Sequence, residues 1–322
     1  MATNLGIRAV ENPLDMGQLG QDPLVTALVL GQPAASSYPG QQILRPITVP
    51  NVTFSYTTIS NDHLRYYDAE RALRANIRHS DWSVSVQAAS LVRHSWRVMK
   101  DVAELDNANP SLRMRELSAL LAKRIVDMNI ETKIRDLIST AGNYPAAHRT
   151  AIGAGSEWNS VNGDSRTTIL AMADQICADT GLMWSDLSVF LSRESYQAAL
   201  SDPTFLAARS YQNTAMANAE ILAQYWGVKN VWVANPVQAD NEGVVSPMYS
   251  DLAVIYYGGD AANFDTTYGD LTFGVTFKWN RGVAGSPWFE EENTTWNFPW
   301  EDWALPKIIN SSCGAIITNC AA

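Results

Sequence analysis

Between Pro110 and Thr140 the apolar residues fall at Leu117, Leu121, Ile125 and Met128, and then at Ile130, Ile134, Leu137 and Ile138, the three-and-four spacing of an α-helix. Asn109 is a good N-cap, Pro110 suits the first helical position, and Gly142 with Pro145 just beyond it marks the stop. At 1.5 Å per residue, a helix over 110–140 would span about 45 Å, longer than a globular domain usually needs. It reads as a strut.

The pattern elsewhere is mixed. Residues 1–50 hold prolines and glycines with little periodicity and read as an extended arm. Asn51 to Ser60 alternates Val52, Phe54 and Tyr56, and a second strand-like run from Trp82 reaches Val98, so the two could pair as a ribbon. Leu64 to Ile77, between them, is charged, which leaves this region without a core of its own. After the strut, Asp164 or Ser165 caps a helix ending near Gly181, with Ile169, Met172, Ile176 and Cys177 facing inward. There follow a strand (Leu187 to Leu191), a short helix (Glu194 to Leu200), a helix from Ala215 to Trp226 stopped by Gly227, and strands Val231 to Ala234 and Leu252 to Tyr257. That alternation predicts helices packed on a sheet. From Leu271 the style turns antiparallel, with strands expected over Thr272–Trp279, Thr294–Phe298 and Pro306–Thr318.

Composition narrows the function. The 322 residues are nearly half apolar, enough to bury a large core. The net charge of -10 is uneven: residues 1–150 come to about +2 and the rest to about -12. An acidic surface repels phosphate, which argues against sequence-specific nucleic-acid binding but suits a wall that must not stick to DNA. No apolar signal segment follows Met1, and the run Leu24 to Leu30 is too short to cross a bilayer, so no membrane partner is expected. Cys177, Cys313 and Cys320 lack metal spacing and fit a reducing compartment, with Cys177 read as a small buried hydrophobe.

Candidate chemistry is thin. The stretch GAGSEW at Gly153–Trp158 lacks the third glycine and the preceding strand of a dinucleotide fingerprint. His63, His79, His94 and His148 are scattered, with no metal pair among them. Neither a cofactor nor a metal is expected. The most enzyme-like segment, SPWFEEENTTWNFPWEDW, sets Trp288, Trp296, Trp300 and Trp303 beside Glu290, Glu291, Glu292, Glu301 and Asp302. Indoles beside carboxylates can line a sugar cleft. They can equally be strands whose indoles cover a core or a neighbouring subunit, and that reading is preferred. Arg71, Arg74, Arg78, Arg93 and Arg97 form a basic cluster that would suit the acidic C-terminal half of another copy.

The order arm, long loop, long helix, α/β region and returning antiparallel strands resembles the major capsid proteins of tailed bacteriophages, the HK97-like fold. The likeness is carried by DVAELDNANPSLRMRELSALLAKRIVDMNIETKIRDLI, with Glu131 on its helix, by ILAMADQICADTGLMWSDLSVFLSRESYQAALSDP, by AEILAQYWGVKNVWVAN and by YGDLTFGVTFKW, over roughly Asn51 to Thr318. The resemblance implies an α+β chain with an N-terminal arm (1–50), an extended E-loop (51–98), a peripheral domain (99–163 and 265–322) with its spine helix over 110–140, and an α/β axial domain (164–264). It implies a non-enzymatic shell protein forming hexamers and pentamers that enclose double-stranded DNA without reading its sequence. Portal and cementing proteins would be further partners, and the site would be the virion capsid, assembled in the host cytoplasm. Inter-subunit contacts are expected at Trp82, Arg93, Trp96, Arg97, Glu131, Trp288, Trp296 and Trp300.

Two departures from the family pattern matter. No lysine precedes Lys100, so the covalent E-loop cross-link of some relatives is not expected. The short irregular arm lacks a long helical scaffolding segment, which implies a separate scaffolding protein. An encapsulin-type compartment is the first alternative, disfavoured because the Pro-rich arm lacks an amphipathic cargo-docking helix; a carbohydrate-active enzyme using the Trp/Glu stretch is the second.

Overall fold

The computed structural model describes residues 38–58, 70, 85–107, 114–212, 218–239, 242–259, 271–279, 283–284 and 286–321. Along the chain these form α1 (Gly40–Ile43), β1 (Arg45–Val49), β2 (Thr53–Thr58), β3 (Ser85–Ser90), β4 (Val92–Asp101), α2 (Val102–Asn107) and the long helix α3 (Met114–Ser139). Then come β5 (Arg149–Ala151), α4 (Ser165–Thr180), β6 (Ser188–Ser192), α5 (Arg193–Leu200), α6 (Pro203–Gln212), α7 (Ala219–Trp226), β7 (Asn230–Ala234), β8 (Val237–Ala239) and β9 (Val245–Pro247). The chain closes with β10 (Leu252–Tyr256), β11 (Gly274–Trp279), β12 (Val283–Ala284), β13 (Trp288–Glu290), β14 (Thr295–Ile308) and β15 (Gly314–Thr318). Two compact units result: the described residues of the smaller lie within 95–126 and 282–302, and those of the larger within 34–94, 127–281 and 303–322.

The larger unit has two centres. The first is a five-stranded sheet in the order β5-β15-β10-β6-β7, mixed in direction, with α4, α5, α6 and α7 contributing to its core. Strands β6 and β10 are buried along their whole length, which is why they read as unbroken apolar runs. Strands β5 and β15, which come from 99–163 and 265–322, pair in this sheet beside β10. GAGSEW is a turn that delivers Trp158, without solvent exposure, into the same core. Helix α6 was not foreseen; its signal is the Asp202-Pro203 pair, a cap followed by a first-turn proline.

The second centre is where β11 lies between β1, parallel to it, and the C-terminal part of β14. The expected ribbon forms here as β2 against β3, in register from Thr53–Ser90 to Thr58–Ser85. Its base is not bare, contrary to the sequence reading: Phe54, Tyr56 and Leu91 pack with Val49, Val275 and Phe277, the Phe54 and Phe277 rings 4.6 Å apart. Beyond that base β3 is almost wholly exposed.

In the smaller unit the N-terminal part of β14 pairs with β12 and β13. The two strands expected over Thr294–Phe298 and Pro306–Thr318 are therefore one strand of 14 residues followed by β15. Pro299 and Pro306 both lie within that strand of 14, Pro306 opposite Thr276 of β11. Thr294, in the turn between β13 and β14, holds φ at 50°, a left-handed conformation that a β-branched side chain resists. Thr294→Asn is expected to stabilise the chain by about 1 kcal/mol, read as a higher urea midpoint.

The long helix is present, at about 39 Å for its 26 residues; its expected start at Asn109 and Pro110 lies outside the described residues. Its buried stripe keeps Ile130, Ile134 and Ile138 of the expected one and departs from it in the N-terminal half. Ala119, Ala122, Val126, Ile130, Ile134 and Ile138 are covered, whereas Leu117 and Leu121 stand 47% and 49% exposed. Apolar residues occupy two faces of this helix, and periodicity alone could not say which one the protein covers.

Candidate assembly surface

In the smaller unit three cations sit over three indoles. Arg97 of β4 lies 6.0 Å from the ring of Trp288, Arg115 of α3 lies 5.4 Å from Trp296, and Lys123 one further run along α3 lies 5.8 Å from Trp300. Strand alternation explains the arrangement: Trp296, Phe298 and Trp300 share one face of β14, and Phe289, opposite Trp296 in register, adds a ring 5.7 Å from it. Such contacts hold a flat indole in place while leaving part of it uncovered. Trp96, Met99, Trp288 and Phe289 are 53%, 53%, 42% and 43% exposed, and with Leu117 and Leu121 they make this unit rich in uncovered large apolar side chains.

The expected contact residues divide accordingly. Trp96, Arg97 and Trp288 are at the surface, and Trp296 is half-buried. Arg93 is exposed in the larger unit, 5.9 Å from the ring of Trp303. Trp82, with Arg71, Arg74 and Arg78, lies outside the described residues. Trp300 is 3% exposed and Glu131 has no exposure within the subunit, because strand alternation and the turn of α3 point both inward. Met99, Leu117, Leu121 and Phe289 were missed; the only signal for them was an apolar residue on a face already assigned to solvent or core.

The carboxylates of the sugar-cleft alternative do not gather. Glu290 accepts from Asn297 Nδ2 at 3.2 Å, Glu291 and Glu292 lie in an exposed turn, and Glu301 and Asp302 are consecutive on β14 and so point to opposite faces. Burial pushes the Cys313 and Cys320 thiols up to about 12 and raises Cys177 as well, with Asp174 and Asp186 adding to the effect, so the cysteines are poor nucleophiles. Of the histidines within the described residues, His94 contacts Asn129 at 2.9 Å, and His148 is buried between the Gly314 carbonyl at 2.9 Å and Asp179 at 3.0 Å. No group of three metal-ligating side chains occurs among the described residues.

No protein-family model matches the chain. It is 17% identical over 264 residues, 79% of its own length and 85% of the relative's, to a protein of Burkholderia phage BcepMu named major capsid protein. A phage-related protein from Bordetella bronchiseptica RB50 superposes with a TM-score of 0.74 at 18% identity, over 94% of this chain and 97% of that one. The capsid structure of cyanophage P-SCSP1u matches with a TM-score of 0.57 at 9% identity, over 87% and 86%. The chain has the HK97-like fold. An encapsulin complex from Synechococcus elongatus shares this HK97-like architecture, with a TM-score of 0.52 at 11% identity over 87% and 86% of the two chains. At such identities the structural likeness speaks for the fold, and the HK97-like fold serves both phage shells and encapsulins.

Proposed function

We propose that the chain is the major capsid protein of a tailed phage, assembling as hexamers and pentamers into an icosahedral shell around double-stranded DNA. What carries this reading is extent: the likeness to a phage protein named major capsid protein runs over 85% of that protein's length, on a chain with the HK97-like fold. In that reading 1–50 is the arm, 51–98 the E-loop, 99–163 and 265–322 the peripheral domain, and 164–264 the axial domain. The exposed ribbon and the uncovered aromatics of the smaller unit fit a subunit that completes its burial against neighbours.

The acidic balance suits a wall that holds DNA without binding its sequence. Nothing in the carboxylate arrangement calls for catalysis, and no described helix is long and apolar enough to cross a membrane. The protein would act in the virion, built in the host cytoplasm with a separate scaffolding protein and a portal, and with a cementing protein as a further partner.

The test is electron microscopy of the full chain, expressed alone and with candidate scaffolding proteins. Closed shells or hexameric rings are the expected result. Contents then separate the two shell readings, since nucleic acid indicates a phage capsid and an enzyme cargo an encapsulin. A monodisperse monomer under every condition overturns both. A charge reversal at Arg93 and Arg97 adds detail: assembly that proceeds unchanged would remove the basic cluster from the interface.

A further inference from the structure

Three segments distant in sequence meet at one carboxylate. Glu131, on α3, has no solvent exposure. Its Oε1 accepts from the backbone N–H of Gly40 at 2.7 Å and from the hydroxyl of Tyr249 at 2.7 Å, while Oε2 has no hydrogen-bond partner among the described residues. The fit is close enough to require glycine: a Cβ at residue 40 would stand 2.7 Å from the Tyr249 hydroxyl, 2.8 Å from Glu131 Oε1 and 2.8 Å from Ile134. Tyr249 is fixed in turn by an edge contact with Phe190, the rings 5.0 Å apart. Residues 1–37 connect to the rest of the chain through this point.

Among the described residues no cation pairs with the carboxylate. Arg135, one turn further along α3, is committed elsewhere, with Nε 3.0 Å and Nη2 2.7 Å from Asp136 and Nη1 3.0 Å from Gln238. Asp127, one turn earlier, is a second buried acid, and the group facing from the other side is the neutral Tyr249 phenol. Burial raises Glu131 above the ordinary carboxylate range, although both hydrogen bonds pull the other way. Burial, helped by Glu131, raises the Tyr249 phenol well above its own range.

We propose that Glu131 is a pH-sensitive latch that holds the root of the N-terminal segment, Gly40–Leu44, on the long helix, closed while the carboxyl is neutral and released as it ionises. The neutral carboxyl keeps both hydrogen bonds through its carbonyl oxygen. Ionisation leaves a charge in an apolar site with one oxygen unpaired, and opening lets water reach it. The folded-state value is raised, so the latch is fully closed below the ordinary carboxylate range and loosens as pH rises through Glu131's own value. This concerns the subunit itself and stands apart from the shell reading.

The experiment is hydrogen exchange of the Gly40 and Leu44 amides in the full chain, corrected for the intrinsic rate, from about pH 4 to about pH 8. The first of these amides bonds Glu131 directly, and the second bonds the Gly40 carbonyl at 3.0 Å. Wild-type protection is expected to fall by up to about tenfold per pH unit above the ordinary carboxylate range, the slope of one linked proton, and to level off once Glu131 in the closed form has ionised as well. In Glu131→Gln, whose amide oxygen can accept the same two bonds without a charge, protection should be higher at neutral pH and flat. Tyr249→Phe removes one donor and should lower protection several-fold while keeping the slope. A flat wild-type profile overturns the latch, as does a Glu131→Gln profile that slopes like the wild type. If Glu131→Gln does not fold, the wild-type slope decides alone.

Discussion

Trp288→Ala combined with Arg97→Glu is expected to abolish shell formation at concentrations where the wild-type chain assembles, while the subunit's own melting midpoint moves by less than about 2 °C. The two effects separate because of where these residues sit. Trp288 is 42% exposed, and within the chain its recorded partner is the Arg97 guanidinium 6.0 Å away, a pair worth about 0.5–1 kcal/mol when exposed. Across an interface, a centrally buried tryptophan is a frequent hot spot worth about 2 kcal/mol or more, roughly thirtyfold in affinity, and a shell repeats the loss at every copy. Reversing the charge at Arg97 adds repulsion where an acidic neighbour would sit.

Trp300→Ala is the control. That indole is 3% exposed, so its removal should cost about 3–5 kcal/mol of subunit stability and lower the melting midpoint before any assembly is measured. Size-exclusion chromatography and electron microscopy read assembly, and thermal melting reads the subunit. Shells forming at the wild-type concentration in the double variant would remove Trp288 and Arg97 from the interface.

Asp202→Ala is expected to destabilise the subunit by about 3–5 kcal/mol, a large part of the roughly 5–15 kcal/mol a domain possesses. The carboxylate is fully buried and joins the starts of two helices. Oδ2 accepts from the Ser165 backbone N–H at 2.8 Å and from the Ser165 hydroxyl at the head of α4. Oδ1 accepts from Thr204 N–H at 2.7 Å, Thr204 Oγ1 at 2.6 Å and Phe205 N–H at 3.4 Å at the head of α6. The Ser165 hydroxyl also receives Trp226 Nε1 at 3.3 Å, so α7 is tied to the same knot. Alanine leaves five donors without this acceptor, three of them on buried Ser165 and Phe205 and two on Thr204, which is exposed and can turn to water. The urea midpoint should fall sharply, and Asp202→Asn should fall between, since an amide can satisfy only part of a site built entirely of donors. An unchanged midpoint in Asp202→Ala would show that these bonds contribute little.

Much of the α/β region was legible because its signals are local. Asp164 accepts from Thr167 N–H at 3.0 Å, and Gly181 and Gly227 adopt φ of 73° and 74° where helices were expected to stop. A cap or a left-handed glycine acts within a few residues of itself, so a reader of the chain sees the whole interaction. The length of β14 was missed for the complementary reason: whether a strand continues depends on the strands that pair with it.

The candidate surface was legible in composition and not in direction. Tryptophans beside acids at 288–303 and arginines at 93 and 97 announced an unusual region, and the preference for cover over catalysis came from weighing residue types. Which indoles lie outside is a matter of one residue's register. Trp300 is buried and Trp288 is not, and Glu131, on the helix the sequence did identify, turns into the interior to meet Gly40 and Tyr249, partners 91 and 118 residues away.

By itself, then, the sequence determined the long helix, the capped α/β alternation and the alternating strands of the ribbon, because each follows from periodicity and capping that operate over one or two turns. Only the tertiary structure decided which face of the long helix is covered, that β5 and β15 join the sheet of β10, β6 and β7, and which aromatics remain exposed. Burial is a property of what comes to lie against a residue, and those contacts cross intervals of chain that no local pattern spans.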